Sequence, residues 1–272
     1  MKIVCVGDCG VDHYLPSGRL LAGGITANFA RHAAREFRDE DEIHVISAIG
    51  SDPLAAGLVR RAFRDSRVRC HITELRGETP VQYIRIEPDG EKNFLRYDEG
   101  VLAFYRIDED AAEIVRTADL LVTAVFSQVR ELFDSVISVP VAGKVAVDFA
   151  DFSQHPDFGH IESSLDRIDV AFFGLSATDH KLVSALAALA QRWHKLFVVT
   201  LGSAGSIAMA GDKLFEQAAI SVEHIVDTTG AGDAFAAAFL ANYMYGADVP
   251  LCLHRGATLA AYVIRQMGAF PG

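Results

Sequence analysis

The sequence predicts an α/β protein: a doubly wound, mostly parallel sheet with helices on both faces and a small β-sheet lid. Three observations predict it. Six short runs (KIVCVG, IHVISAIG, LLVTAVF, KVAVDFA, VAFFG, LFVVTLG) are apolar without alternation, as strands are when helices cover both faces. Helix-length segments separate them, at Ala27–Phe37, Leu54–Asp65, Asp108–Ala118 and Ala177–Trp193. One stretch, Cys70–Val101, breaks this rhythm with consecutive strands around a DG turn.

In chain order, MKIVCVG reads as a first strand, since its apolar run is shorter than a signal peptide needs and no cleavage site follows. His13–Leu21 supplies a strand or loop beside the later excursion. Arg60, Arg61, Arg64, Arg67 and Arg69 recur at helical spacing for part of their run and read as a solvated face. The excursion itself reads VRCHITEL, PVQYIRIEP, then KNFLRYDE, giving lid segments at about 13–22 and 70–101 within one unit spanning 1–272. Further on, TLGSAGS turns into the hairpin SIAMAGDKLFEQ, and Ile225–Val226 ends a strand. The helix at Ala234–Tyr245 is apolar almost all round and so reads as buried and central.

Composition narrows the class. The 272 residues are half hydrophobic, enough for one substantial core with a small second unit. A formal charge of −11 argues against nucleic acid or an anionic membrane as partner, because both select basic faces. The longest uncharged segment, Ala234–Ala247, is shorter than the roughly 20 residues of a membrane span. Cys5, Cys9, Cys70 and Cys252 are scattered without zinc-site spacing and fit a reducing compartment. A soluble, cytoplasmic protein is expected.

The chemistry concentrates in TTGAGD (Thr228–Asp233), directly before the apolar helix. Glycines let successive N–H groups converge, and the unpaired N–H groups and dipole of a helix start make an anion site suited to a phosphoryl group. Asp233 stands at its rim. Either it caps the helix, or it takes a proton from an attacking hydroxyl.

Asp227-Thr-Thr-Gly-Ala-Gly-Asp233 followed by AFAAAFL resembles the C-terminal signature of the PfkB-type (ribokinase-like) carbohydrate kinases, and AGGITANFA (Ala22–Ala30) resembles their N-terminal element. Weaker similarity runs along the whole chain. The resemblance implies a Rossmann-like domain with a β-sheet lid that transfers the γ-phosphoryl of ATP to a sugar hydroxyl, with Mg²⁺. A monovalent cation is a further candidate cofactor. By this resemblance Asp233 is the catalytic base, and Gly230, Ala231 and Gly232 form the anion hole. Asp12, Gly23, Gly24 and Asn28 bind the sugar. Thr200, Gly202 and Gly205 of TLGSAGS, with Thr228 and Ala257, bind the nucleotide, Ala257 lying on the C-terminal helix Gly256–Ala269 beside the adenine.

The pattern departs in places. The family's Asn-x-x-Glu, tied to Mg²⁺, is SATD here, leaving Asp179 as an indirect metal candidate; Asp-Pro-Asn-x-Arg is DFADF from Asp148; and Ala55 replaces a glycine after Gly50 and Asp52. The short length, GDCGVD, RYDEGV and VDFADF are most similar to the fructoselysine 6-kinase branch, which implies phosphorylation at C6 of a fructosamine. In that reading Asp98 or Glu99 receives the substrate's ammonium and Arg96 its carboxylate. A simple ketose, a ribosyl compound or a nucleoside fits the same frame, as does a sensor without turnover. The exposed lid sheet is a natural homodimer surface. G-x-G-x-x-G after the first strand and G-x-x-x-x-G-K-[ST] are both absent, which disfavours dinucleotide and P-loop enzymes.

Overall fold

A computed structural model describes residues 1–154 and 156–270. The chain begins with β1 (Lys2–Val6), which enters a hairpin of β2 (Gly10–Tyr14) and β3 (Arg19–Gly23), then α1 (Ile25–Glu36). There follow β4 (Glu42–Gly50), α2 (Pro53–Arg64), β5 (Arg69–Leu75), β6 (Val81–Ile86) and β7 (Lys92–Asp98). The second half runs α3 (Glu109–Arg116), β8 (Leu120–Ala124), α4 (Arg130–Ile137), β9 (Lys144–Asp151), α5 (Phe158–Ser164), β10 (Val170–Gly174) and α6 (His180–Trp193). It ends with β11 (Leu196–Thr200), the hairpin β12 (Ser206–Ala210) and β13 (Lys213–Gln217), α7 (Ala231–Met244) and α8 (Val249–Val263).

These strands form two sheets. The large one has the order β13-β12-β11-β10-β9-β8-β1-β4-β5, parallel from β11 through β5 and closed at one edge by the antiparallel hairpin. The lid sheet has the order β3-β2-β6-β7. Residue alternation along each buried strand feeds two cores. Ile3, Cys5, Ile43 and Val45 pack with α1, α2, α7 and α8, while Val4, Val6, Ile46 and Ala48 pack with α3, α4, α5 and α6. Helix α7 lies between α1 and α8 against the sheet, and every residue from Asp233 to Ala241 is buried. Its all-round apolar character therefore reflects contact on all sides. No helix among the described residues is long and apolar enough to cross a membrane.

Three sequence expectations need correction. Cys70 lies in β5, which pairs parallel with β4 at the edge of the large sheet and not in the lid. The short connection from α2 makes β4-α2-β5 a crossover unit, so the lid takes only 10–14, 19–23, 81–86 and 92–98. Ile225–Val226 ends no strand: Val226 N–H donates to Ile264 C=O across 2.8 Å in an irregular segment. The C-terminal helix stops at Val263, and residues 264–270 fold back towards the start of α7.

Candidate active site

The chain reverses direction across the sheet at β1, which has β4 on one side and β8 on the other. Ligands of open α/β sheets bind at the carboxyl ends of strands at such a reversal. Asp8 follows β1 there, and its carboxylate accepts the N–H groups of Ile25 and Thr26, each across 3.2 Å. This anchors the start of α1, where carboxylates suit the orphan N–H groups. Gly24 has φ +102°, and a Cβ on it would meet the Asp8 carbonyl, so the close approach requires glycine.

One turn into α1, Asn28 Nδ2 donates to Asp233 Oδ2 across 2.7 Å. The two ends of the chain meet in this bond, 205 residues apart. Asp233 is buried in the first turn of α7, whose N-cap is Gly230 at φ +76°, with no side-chain capping bond. Asp233 is thus not the helix cap; its carboxylate faces Asn28. A Cβ on Gly230 would strike Ala269, which fixes both residue type and turn shape. Behind the turn, fully buried Asp227 accepts the N–H of Thr229 (2.8 Å) on one oxygen. Its other oxygen takes the N–H of Gly268 (2.7 Å) and the hydroxyl of Tyr14 (2.8 Å).

Four carboxyls around this crevice hold their protons more tightly than usual, in each case first because burial disfavours the charged form. Asp12 is pushed up to about 8, with Asp227 and Asp8 adding like charge. Asp148, late in β9, is pushed up to about 6. Asp8 is raised despite its N–H partners. Asp233 is raised well above the carboxylate range, with Asp148 the next cause after burial, while Asn28 and Lys92 oppose the rise. Asp148 and Asp233 line one cavity of about 10 Å³, the size of a single water. Buried Asp12 Oδ2, Asn28 Oδ1, Tyr97 hydroxyl and Thr229 Oγ1 have no hydrogen-bond partner among the described residues. Buried polar atoms without partners are costly and mark places where a polar ligand would be accepted.

The other expected residues fall into three groups. Gly23 lies so close to Asp12 that any Cβ would overlap its carboxylate. Asp12, Gln82 and Tyr97 are cross-strand partners on the inner lid face. Burial, reinforced by the charges of Asp8, Glu99 and Asp12, raises the pKa of Tyr97. Glu99, just past the end of β7, is near enough for its charge to act on Tyr97. Arg96 pairs with Tyr83, itself the partner of His13, on the outer face, with its guanidinium 4.1 Å over the Tyr83 ring and 2.8 Å from Asp98. Strand alternation, invisible without the register, turns Arg96 and Asp98 away from the crevice.

Thr200 ends β11 on the same carboxyl edge, and Gly202 (φ +57°) and Gly205 (φ +98°) shape the turn into β12. Ala257 is buried on α8, which packs beside β12 and β13. Thr228 Oγ1 accepts the Lys92 N–H (3.1 Å) and donates to Glu91 (3.2 Å), joining turn and lid. Asp179 starts α6, where its carboxylate takes the Ser153 hydroxyl (2.5 Å) and the Ser176 N–H (3.0 Å). Sequence reasoning missed Lys92. Its ammonium lies 3.5 Å from the Thr228 carbonyl and favours ionised Asp233. A lysine just after the DG turn was the available signal.

Comparison with known proteins agrees with this geometry. The model of the pfkB family carbohydrate kinases matches residues 169–271. Fructosamine kinase FrlD of Bacillus subtilis is 28% identical, the match covering 99% of this chain and 93% of that protein. Fructoselysine 6-kinase of Escherichia coli is also 28% identical, over 98% of this chain and 99% of that protein. The structure of Arabidopsis thaliana ribokinase complexed with ribose and ATP superposes with a TM-score of 0.74 at 22% identity, over 99% of this chain and 95% of that one. The chain resembles the pfkB family carbohydrate kinases over residues 169–271 and kinases of fructosamines along nearly its whole length, and it is a phosphotransferase acting on a sugar hydroxyl.

Proposed function

We propose that residues 1–272 act as one kinase unit that moves the γ-phosphoryl of ATP to C6 of a fructosamine such as fructoselysine, or of a related ketose. The observation that carries the reading is the Asn28–Asp233 bond, which sets a buried carboxylate between the sugar-side helix and the phosphoryl-side turn. In this reading Asp233 removes the proton of the attacking hydroxyl. The N–H groups of Gly230, Ala231 and Gly232 stabilise charge on the transferring group, a task of positioning and electrostatics. Asp12, Asn28, Gly23 and Gly24 hold the sugar. Thr200, Gly202, Gly205, Thr228 and Ala257 hold the nucleotide.

The carboxylates of Asp148 and Asp233 repel each other. A divalent cation on the substrate phosphates would relieve that repulsion while leaving Asp233 free as the base, which fits Mg²⁺ bound mainly by phosphates and water. Mg²⁺ would neutralise phosphate charge; Asp179 would reach it only through water. Lys92 supplies the protein's own positive charge beside Asp233. Tyr97 with the charge of Glu99 beside it suits a protonated amine and supports a fructosamine over a neutral ketose. Relatives named as fructosamine and fructoselysine kinases support the same substrate. The outer lid face, with His13, Tyr83 and Arg96, would seat a second copy of the chain.

The test is ADP release with Mg-ATP against fructoselysine, other fructosamines, fructose, ribose and adenosine, with Asp233→Asn alongside. Release that depends on a fructosamine and falls at least about 10²-fold in the variant supports the reading. Undiminished turnover in the variant removes Asp233 from the mechanism. Binding of sugar and nucleotide without turnover in the wild type would instead mark a sensor.

A further inference from the structure

Resting on the kinase reading, we infer that Tyr14 is a positioning residue: its hydroxyl ties the lid to the carboxylate that shapes the phosphoryl turn. Tyr14 ends β2 in the lid sheet and is buried. It stands two residues after Asp12, so both side chains leave the strand on the same inner face. Its hydroxyl crosses from lid to body, donating to Asp227 Oδ2 across 2.8 Å.

Asp227 is where three segments converge. Besides Tyr14 it accepts the N–H of Thr229, next to the left-handed Gly230, and the N–H of Gly268, next to the Ala269 that packs on Gly230. Its own N–H donates to Ile264 C=O across 3.3 Å, so the carboxylate hangs from a fixed backbone. Two of its three donors are backbone groups belonging to the turn and to the strap behind it. The third, Tyr14, is the one that belongs to the lid.

Burial and the nearby charges of Asp12 and Asp227 keep the phenol protonated, so the donor does not switch off with pH. Charge-assisted bonds of this kind are stronger than neutral ones. The lid also reaches the turn through residues 90–92: Thr228 N–H donates to Gly90 C=O across 3.2 Å, beside the Lys92–Thr228 bond. Those contacts come from the β6–β7 turn, one strand across from β2 at the same end of the sheet, whereas the Tyr14 bond is made from β2 itself, the strand that carries the sugar-side Asp12. Tyr14 therefore couples the seating of the sugar-side strand to the shape of the anion site.

Tyr14→Phe keeps the ring and removes the donor. Hydrogen exchange of the protein without substrates gives a readout independent of turnover: segments 10–23 and 226–232 exchange about tenfold faster in the variant, with 196–210 unchanged. Turnover on the sugar that the wild type uses falls about tenfold, while KM for ATP moves less than about twofold. Asp227→Asn combined with Tyr14→Phe loses no more turnover than Asp227→Asn alone, as expected for partners in one bond. If Asp227→Asn does not fold, the exchange and kinetic results for Tyr14→Phe decide alone. Wild-type exchange at 226–232 in Tyr14→Phe, unchanged kcat, or additive losses would overturn the inference. A wild type with no kinase turnover would instead overturn the functional reading, leaving the exchange result to judge the tether.

Discussion

Asp12→Asn should make the free protein more stable at alkaline pH, although it removes a residue assigned to sugar binding. The Asp12 carboxyl is 3% exposed, and its proton affinity is raised from the ordinary 3.8 to about 8 by burial and by Asp227 and Asp8. Each factor of ten in proton affinity is worth about 1.4 kcal/mol, so ionising Asp12 in the folded state costs on the order of 5 kcal/mol relative to the unfolded chain. The folded state binds the extra proton between about pH 4 and pH 8, so this group's contribution to stability falls as pH rises through that window. Above it the full cost applies. Asn has the same shape and no charge, and its amide can donate to the neighbouring carboxylates. Scanning calorimetry without sugar should find the two proteins within about 1 kcal/mol at pH 4, and the variant ahead by about 3–5 kcal/mol at pH 9. At this chain length that is a gap in Tm of roughly 6–10 °C. Parallel stability profiles, or a variant less stable at pH 9, would refute the reasoning.

Three further outcomes are expected. Lys92→Met should lower kcat about 10- to 100-fold; because the lost ammonium favoured ionised Asp233, the acidic limb of the pH–rate profile should move to higher pH. Arg96→Ala, on the outer lid face, should leave KM for a fructosamine within about twofold, while Glu99→Gln should raise it about fivefold and leave KM for neutral fructose unchanged; steady-state kinetics on both sugars checks this. Gly230→Ala forces a Cβ into the left-handed region and against Ala269, so Tm should fall by several degrees and turnover by more than about tenfold, measured by calorimetry and ADP release.

Much of the architecture could be read from local pattern. Uninterrupted apolar runs such as VAFFG belong to strands covered on both faces, and the polar-free face-to-face character of Ala234–Ala241 belongs to a helix surrounded by α1, α8 and the sheet. The glycine turn before α7 was legible because its glycines and Asp233 are adjacent in sequence. What depended on register was not. Edge strand β5 and lid strand β7 are both largely exposed, so composition could not assign them to different sheets. Arg96 and Tyr97 are neighbours, yet only pairing with β6 decides which faces the crevice. The stop of α8 at Val263 was hidden for a similar reason, because the strap 264–270 is shaped by its bonds to Val226, Asp227 and His32 and not by a local breaker alone.

The surrounded position of α7 also has a consequence for how the molecule is made. Asn28 emerges first and Asp233 some 205 residues later, which at about 5–20 residues per second separates them by roughly 10–40 s. For that interval one broad apolar side of the growing sheet, including Ile3, Cys5, Ile43, Val45, Leu120 and Val122, lacks the helix that will cover it. The nascent chain therefore carries its stickiest surface on its earliest strands and receives the cover almost last. Its chemistry and its solubility are completed by the same fourteen residues, Ala231–Met244.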